Sequence, residues 1–174
     1  PQPGARLPDA PGTPQADGVQ AALPDYLALF QAHLDGAVAP ARAPVPDDPA
    51  ARARNLKATA YFLDATLAGT CRLQPDDWLA DWLAESPPNA ADGAAAHTHA
   101  LVVLVEWPRV PAAGEPGADW TRGTQSDVAD LRCAELAVVL AGYVRALGWP
   151  ARGHVAGCTG VDLARLAVVE GAMD

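Results

Sequence analysis

The sequence predicts an α/β domain, and three stretches carry that prediction. Between Asp127 and Leu147 the residues Val128, Leu131, Cys133/Ala134, Leu136/Ala137, Leu140, Tyr143/Val144 and Leu147 recur at helical spacing, making one apolar face of a long helix. Leu101 to Val105 is an unbroken aliphatic run of strand length, the pattern of a strand covered on both faces. Leu147-Gly148-Trp149-Pro150 then ends the helix: Gly148 supplies a left-handed residue and Pro150 forbids continuation. The following Ala-Arg-Gly-His-Val, 151–155, is predicted to return the chain as a third strand.

Taken in order, residues 1–18 are rich in Pro and Gly and read as an arm rather than an element. Val19 to Leu34 shows helical spacing, with Leu23, Tyr26, Leu27, Phe30 and Leu34 on one side, Pro24 in the first turn and Gly36 at the end. Residues 37–49 form a second proline-rich connector, so 1–49 is taken as an arm bearing one helix and 50–174 as the α/β domain. Asp48 caps and Pro49 opens the next helix, which runs to about Ala65 with Leu56, Ala60, Phe62 and Leu63 inward. Leu67–Leu73 alternates and reads as a strand. Pro75–Glu85 is a short helix or turn carrying Trp78 and Trp82 one turn apart, and 87–96 is a loop. The aliphatic run closes at Pro108 and Pro111. A Gly/Pro-rich loop then brings Trp120 to the long helix, where Ser126 or Asp127 is placed to cap the first turn. The last stretch, from Val161, reads as a helix whose apolar face meets no later partner. With only three strands, the expectation is an incomplete fold, finished by another chain or by a further C-terminal part. The opening at Pro1 without a methionine adds the expectation of a preceding piece.

Composition narrows the function. A length of 174 residues suits a single core without disulfides, and a formal charge of −9 opposes both nucleic-acid phosphates and an anionic membrane surface. The three cysteines, Cys71, Cys133 and Cys158, show no ligand spacing, so neither a zinc site nor an iron–sulfur cluster is expected from this chain alone. No apolar run reaches the roughly 18–20 residues of a membrane helix, and no basic-then-apolar stretch opens the sequence. A cytoplasmic protein is the expectation.

Candidate chemistry is sparse. His97 and His99 fall on one face of a strand and could share a metal, though no third ligand is evident and strand-edge solvation accounts for them more readily. His33 sits at a helix end, where a cation suits the dipole. His154 either reaches a cofactor edge or is a hydrogen-bonded structural residue. Gly123-Thr124-Gln125-Ser126 sets polar groups at a helix N-terminus, which suits an anionic or amide-bearing ligand and equally suits plain capping. Asp76, Asp77 and Asp81 read as a solvated face beside a packed tryptophan pair. Ser126 lacks a base or a nucleophile-elbow context, and Gly157–Gly160 is too short for a phosphate loop. No catalytic or metal-ligating residue is assigned.

Three segments together resemble the N-terminal half of the corrinoid- and iron–sulfur-dependent reductive dehalogenases, in their soluble catabolic branch. They are ARNLKATAYFLDATLAGTCRL (53–73), HALVVLVEW (99–107) and DWTRGTQSDVADLRCAELAVVLAGYVRALGWPARGH (119–154). Epoxyqueuosine reductases share the architecture but fit these segments less well. The resemblance implies a nitroreductase-like sheet flanked by helices that supports a cobalamin, with Gln125, Ser126 and His154 as the residues here nearest the cofactor. It implies organohalide reduction fed by two [4Fe–4S] clusters, with a tyrosine as proton donor. The family's cysteine runs and that tyrosine lie C-terminal to the matched region; Tyr61 and Tyr143 sit on helices and do not match it. VVEGAMD, at 168–174, departs from the family's glycine-rich continuation. The expected role is an N-terminal part or small subunit that completes the fold and walls the cobalamin, with the clusters on a C-terminal part or partner chain. A non-catalytic corrinoid carrier or structural partner subunit is the alternative.

Overall fold

In a computed structural model, residues 18–85, 97–121 and 123–169 are described. The Pro/Gly-rich stretch 1–17, the whole of the predicted 87–96 loop and the chain beyond Val169 lie outside them. A short 3-10 turn (Gly18–Ala21) leads into α1 (Leu23–Gln31), followed by α2 (Pro49–Phe62) and β1 (Leu67–Arg72). After a 3-10 turn at Pro75–Asp77 come α3 (Ala80–Glu85), β2 (His99–Leu104), α4 (Ala118–Thr121), α5 (Gln125–Ala146) and α6 (Leu163–Val169). The architecture is mixed helix and sheet, as the sequence predicts.

The 22-residue α5, about 33 Å long at the α-helical rise, is the axis on which α1, α2 and the sheet pack. One side of it, Leu136 and Leu140, meets Ala60 of α2 and Ala65, with Ala68, Leu101 and Val103 of the sheet against them. The other side, Ala134 with Ala137 and Val138, meets Leu34, Leu27 and Phe30 from the α1 region, together with Val155. Alanines on this second side let α1 and the 153–155 backbone approach closely. A Cβ on Gly153 would lie 2.6 Å from the Leu34 side chain.

β1 and β2 pair antiparallel, Leu67 opposite Leu104 and Arg72 opposite His99. This register puts Ala68, Leu101 and Val103 on the face turned to α2 and α5. The other face carries Leu67, Gly69, Cys71, Ala100, Val102 and Leu104, because side chains alternate along a strand. None of these six is polar or fully buried, and Leu67 is 40% exposed. A sheet face left to water normally alternates to polar residues. This one does not.

Several expectations are corrected. The third strand is absent: 151–155 runs along the helices instead, and its backbone is spent there. Gly153 N–H donates to the Leu34 carbonyl at 2.9 Å, the Ala151 carbonyl accepts from Arg145 at 2.8 Å, and Val155 closes a tight turn with Cys158. The sheet among the described residues therefore has two strands, and the 101–105 run is half-buried. α5 starts at Gln125, with Thr124 rather than Ser126 or Asp127 at the cap position. α2 ends at Phe62, which is 84% exposed because it lies on the opposite side of the helix from buried Ala60. Tyr26 is also exposed, lying off the stripe made by Leu23, Leu27 and Phe30. The Asp48 cap stands as predicted, its carboxylate accepting from Ala50 and Ala51 N–H.

The proline-rich connector is a strap over the C-terminal end of α5. Ala39 and Ala43 N–H groups donate to the Arg145 and Leu147 carbonyls, both at 3.0 Å, satisfying groups that a helix end leaves without intrahelical partners. Arg42 lies over the Trp149 ring at 5.4 Å. Gly148, at φ 90°, permits this closure: a Cβ there would fall 2.7 Å from the Ala41 carbonyl oxygen. Gly157 also has positive φ, 74°, but open space around it. Gly148→Ala should therefore destabilise the chain by more than the roughly 1–2 kcal/mol of left-handed strain that Gly157→Ala incurs. Denaturant midpoints of the two variants, at unchanged slope, check this; equal losses would show that the strap does not press on residue 148.

Candidate functional site

The largest concentration of polar and aromatic side chains lies where the turn after β1 meets the segment before α6. Asp77, 2% exposed, holds the junction together. Its Oδ2 accepts from Gln74 N–H at 2.7 Å and its Oδ1 accepts from Arg165 Nε at 2.8 Å. Its backbone carbonyl takes the Asp162 N–H at 2.9 Å. Next to it, Trp78 bridges to Val161, and Leu79 N–H donates to the Gly160 carbonyl at 3.0 Å. Asp162 in turn caps α6, accepting from Arg165 N–H at 2.9 Å. The expectation of a solvated acidic face holds for Asp76 and Asp81, which are exposed, and fails for Asp77.

Above this clasp Trp78 and Trp82 stack with ring centroids 5.0 Å apart and planes 17° from parallel. A Cβ on Gly160 would sit 2.5 Å from the Trp82 ring, so only glycine fits beneath it. The edge of His154 meets both indoles, each centroid 6.4 Å away. Its Nδ1 accepts the Gly160 N–H at 3.0 Å. Burial pushes its pKa down from the usual 6.5 to about 4, with Arg152 and then His97 adding to the effect. An open cleft of about 390 Å³ lies alongside, lined by Leu79, Ala80, Asp81, Trp82 and Thr159. The Thr159 hydroxyl is spent on Val161, donating to its carbonyl at 2.8 Å.

The three residues singled out as cofactor contacts are not brought together. Gln125 is buried at the start of α5, and its Nε2 donates back to the Thr121 carbonyl at 3.1 Å. Ser126 is exposed beside it. His154 lies far along the helix: its neighbour Val155 packs on Ala134, nine residues or about 14 Å of helix rise from Gln125. His97 precedes β2, whereas His99 is exposed on it with its Nδ1 2.9 Å from the Thr98 hydroxyl. Among the described residues no three of His, Cys, Asp and Glu converge as metal ligands. The Cys133 thiol is pushed up by burial and by Asp130, against the opposing pull of Arg132, so its thiolate is disfavoured.

Sequence reasoning missed Arg145. It is 8% exposed in the last turn of α5, and its Nη1 donates to the Leu34 and Ala151 carbonyls at 3.0 and 2.8 Å while Nη2 reaches the His33 carbonyl at 3.4 Å. Gly36 leaves the room, since a Cβ there would come within 3.1 Å of the guanidinium. The signal was present: an arginine one helical turn after Ala141, on a buried stripe.

No family model and no curated protein matches the sequence. Solved structures do, and they define the class first: this chain corresponds to a segment of the catabolic reductive dehalogenases. One match is catabolic reductive dehalogenase NpRdhA, 49% identical over 98% of this chain, with a TM-score of 0.77. A second, at 50% identity, 97% coverage and a TM-score of 0.75, is a reductive dehalogenase described in connection with B12-dependent dehalogenation. A third is NpRdhA in complex with 3-bromo-4-hydroxybenzoic acid, at 50% identity and a TM-score of 0.76. The chain spans only 22–23% of the length of these proteins. No helix among the described residues is long and apolar enough to cross a membrane.

Because neutral His154 is the favoured form in the folded chain, its contribution is whole above pH 6.5 and is lost as the pH falls from there through about 4. The loss amounts to at most about 3 kcal/mol. Unfolding midpoints measured across that window should decline more steeply for the wild type than for His154→Gln. Parallel curves would contradict the buried, uncharged imidazole.

Proposed function

We propose that this chain is a framing module of a cobalamin-dependent reductive dehalogenase, completing the enzyme's fold while the chemistry resides on the remainder. The observation that carries this reading is the apolar second face of the β1–β2 sheet. Leu67, Gly69, Cys71, Ala100, Val102 and Leu104 form it, and its sequence is that of a covered surface. More than three quarters of the relatives' length lies outside what this chain matches, so the occupant proposed for that face is a segment of the same enzyme.

Cobalamin, two [4Fe–4S] clusters and the proton-donating tyrosine are assigned to that remainder, carried either on the same polypeptide or on a partner chain with ferredoxin-type cysteine runs. The described part of this chain supports such a division of labour. Its buried polar side chains are committed to joining its own elements: Asp77 to Arg165, Arg145 to three carbonyls, Gln125 to a preceding turn. The cytoplasm remains the proposed location.

The test is the native mass of the assembly purified from its source, with corrinoid and iron quantified on the same sample. A species well above 18.0 kDa containing cobalamin and about eight irons per catalytic unit is expected. A bare chain that takes up free cobalamin would favour a carrier instead. One with neither cofactor would overturn the dehalogenase reading.

A further inference from the structure

We infer that His154 is a structural hydrogen-bond acceptor that locks the tryptophan pair over Gly160, and that it is not a cobalt ligand. The proposed function supplies only the choice of ligand; the argument rests on the imidazole's own partners. A metal-ligating histidine offers a lone pair from one ring nitrogen and donates the N–H of the other to a neighbour. His154 has the reverse arrangement. Its Nδ1 receives a backbone N–H from Gly160, and a backbone amide can only donate. The proton of the neutral ring therefore sits on Nε2, and no lone pair is left for cobalt.

The surroundings fix this choice. The ring edge is held against Trp78 and Trp82, and Arg152 stands near enough to oppose a second positive charge. Releasing Nδ1 would leave the Gly160 amide without its acceptor beneath the Trp82 ring, where no side chain beyond glycine fits. Neither neighbouring space helps. The 390 Å³ cleft is lined by Trp82 and Thr159 and does not include His154, and the groove of about 590 Å³ beside Arg145 does not include it either. Gln125 and Ser126, the other two residues implied by the resemblance, lie a third or more of the length of α5 away from it.

Two readouts test the inference. Imidazole nitrogen chemical shifts of the wild-type chain at pH 7 should show His154 as the Nε2–H tautomer; an Nδ1–H tautomer would overturn it. Aquocobalamin, which accepts imidazole at cobalt, is then added to the chain and followed by absorbance. Any band shift should be the same in wild type and His154→Gln, arising from exposed residues such as His33 and His99. A shift present in wild type and lost in His154→Gln would overturn it. Both readouts are independent of assembly mass and iron content, so this inference and the proposed function fail separately.

Discussion

A buried arginine without a carboxylate partner holds this module together. Arg145 brings a full positive charge to the end of α5, where the helix dipole is negative, and spreads it over the carbonyls of His33, Leu34 and Ala151. Those carbonyls belong to the end of the α1 region, more than a hundred residues away, and to the returning segment just after the helix, so one side chain fixes both to the end of α5. Hydrogen bonds to charged groups contribute about 1.5–3 kcal/mol each, and an abandoned carbonyl costs a further 1–3 kcal/mol or so. The strap uses the same helix end: Ala39 bonds the carbonyl of Arg145 itself. Asp35, next in sequence to Leu34, pairs with Arg152, next to Ala151, which fastens the seam a second time.

From that hub the geometry of the rest follows. With 151–155 drawn along α1 and α5, it is unavailable as a third strand, and the sheet stays at two. His154 is carried by the same segment to the underside of the tryptophan pair. Asp77 and Arg165 then close the far end by tying the turn after β1 to α6. Buried Asp77 and Arg145 are thus fastenings between elements, and the second face of the sheet is apolar.

Much of the fold was legible in the sequence because its signals are local. The Asp48–Pro49 start of α2, the long apolar stripe of α5 and the Gly148 stop depend on residues within a few positions of each other, and each is present. The stacked tryptophans were legible from their spacing of four. The third strand was not, because Ala-Arg-Gly-His-Val has acceptable strand composition and its backbone is diverted by the Arg145 side chain and by the distant Leu34 carbonyl. Asp77 read as solvated for the same reason: its partner, Arg165, is 88 residues away. For the candidate site, the type of each residue was visible but not its company. His154 stood open between a cofactor contact and a hydrogen-bonded structural residue, and its Nδ1 is engaged by the Gly160 amide, a contact that only the fold reveals. Gln125 and Ser126 were read as a helix terminus, and that is where they lie.

Amide hydrogen exchange of the chain, free and within the proposed dehalogenase assembly, tests the account most directly. The account predicts that the Ala39, Ala43 and Gly153 amides, bonded at or beside the Arg145 hub, are already slow in the free chain. It predicts that protection is gained in the assembly along 67–71 and 100–104, the strands whose second face is apolar and not fully buried. Hub amides that are protected only in the assembly, or strands that gain nothing there, would contradict a self-contained module with one unfinished face.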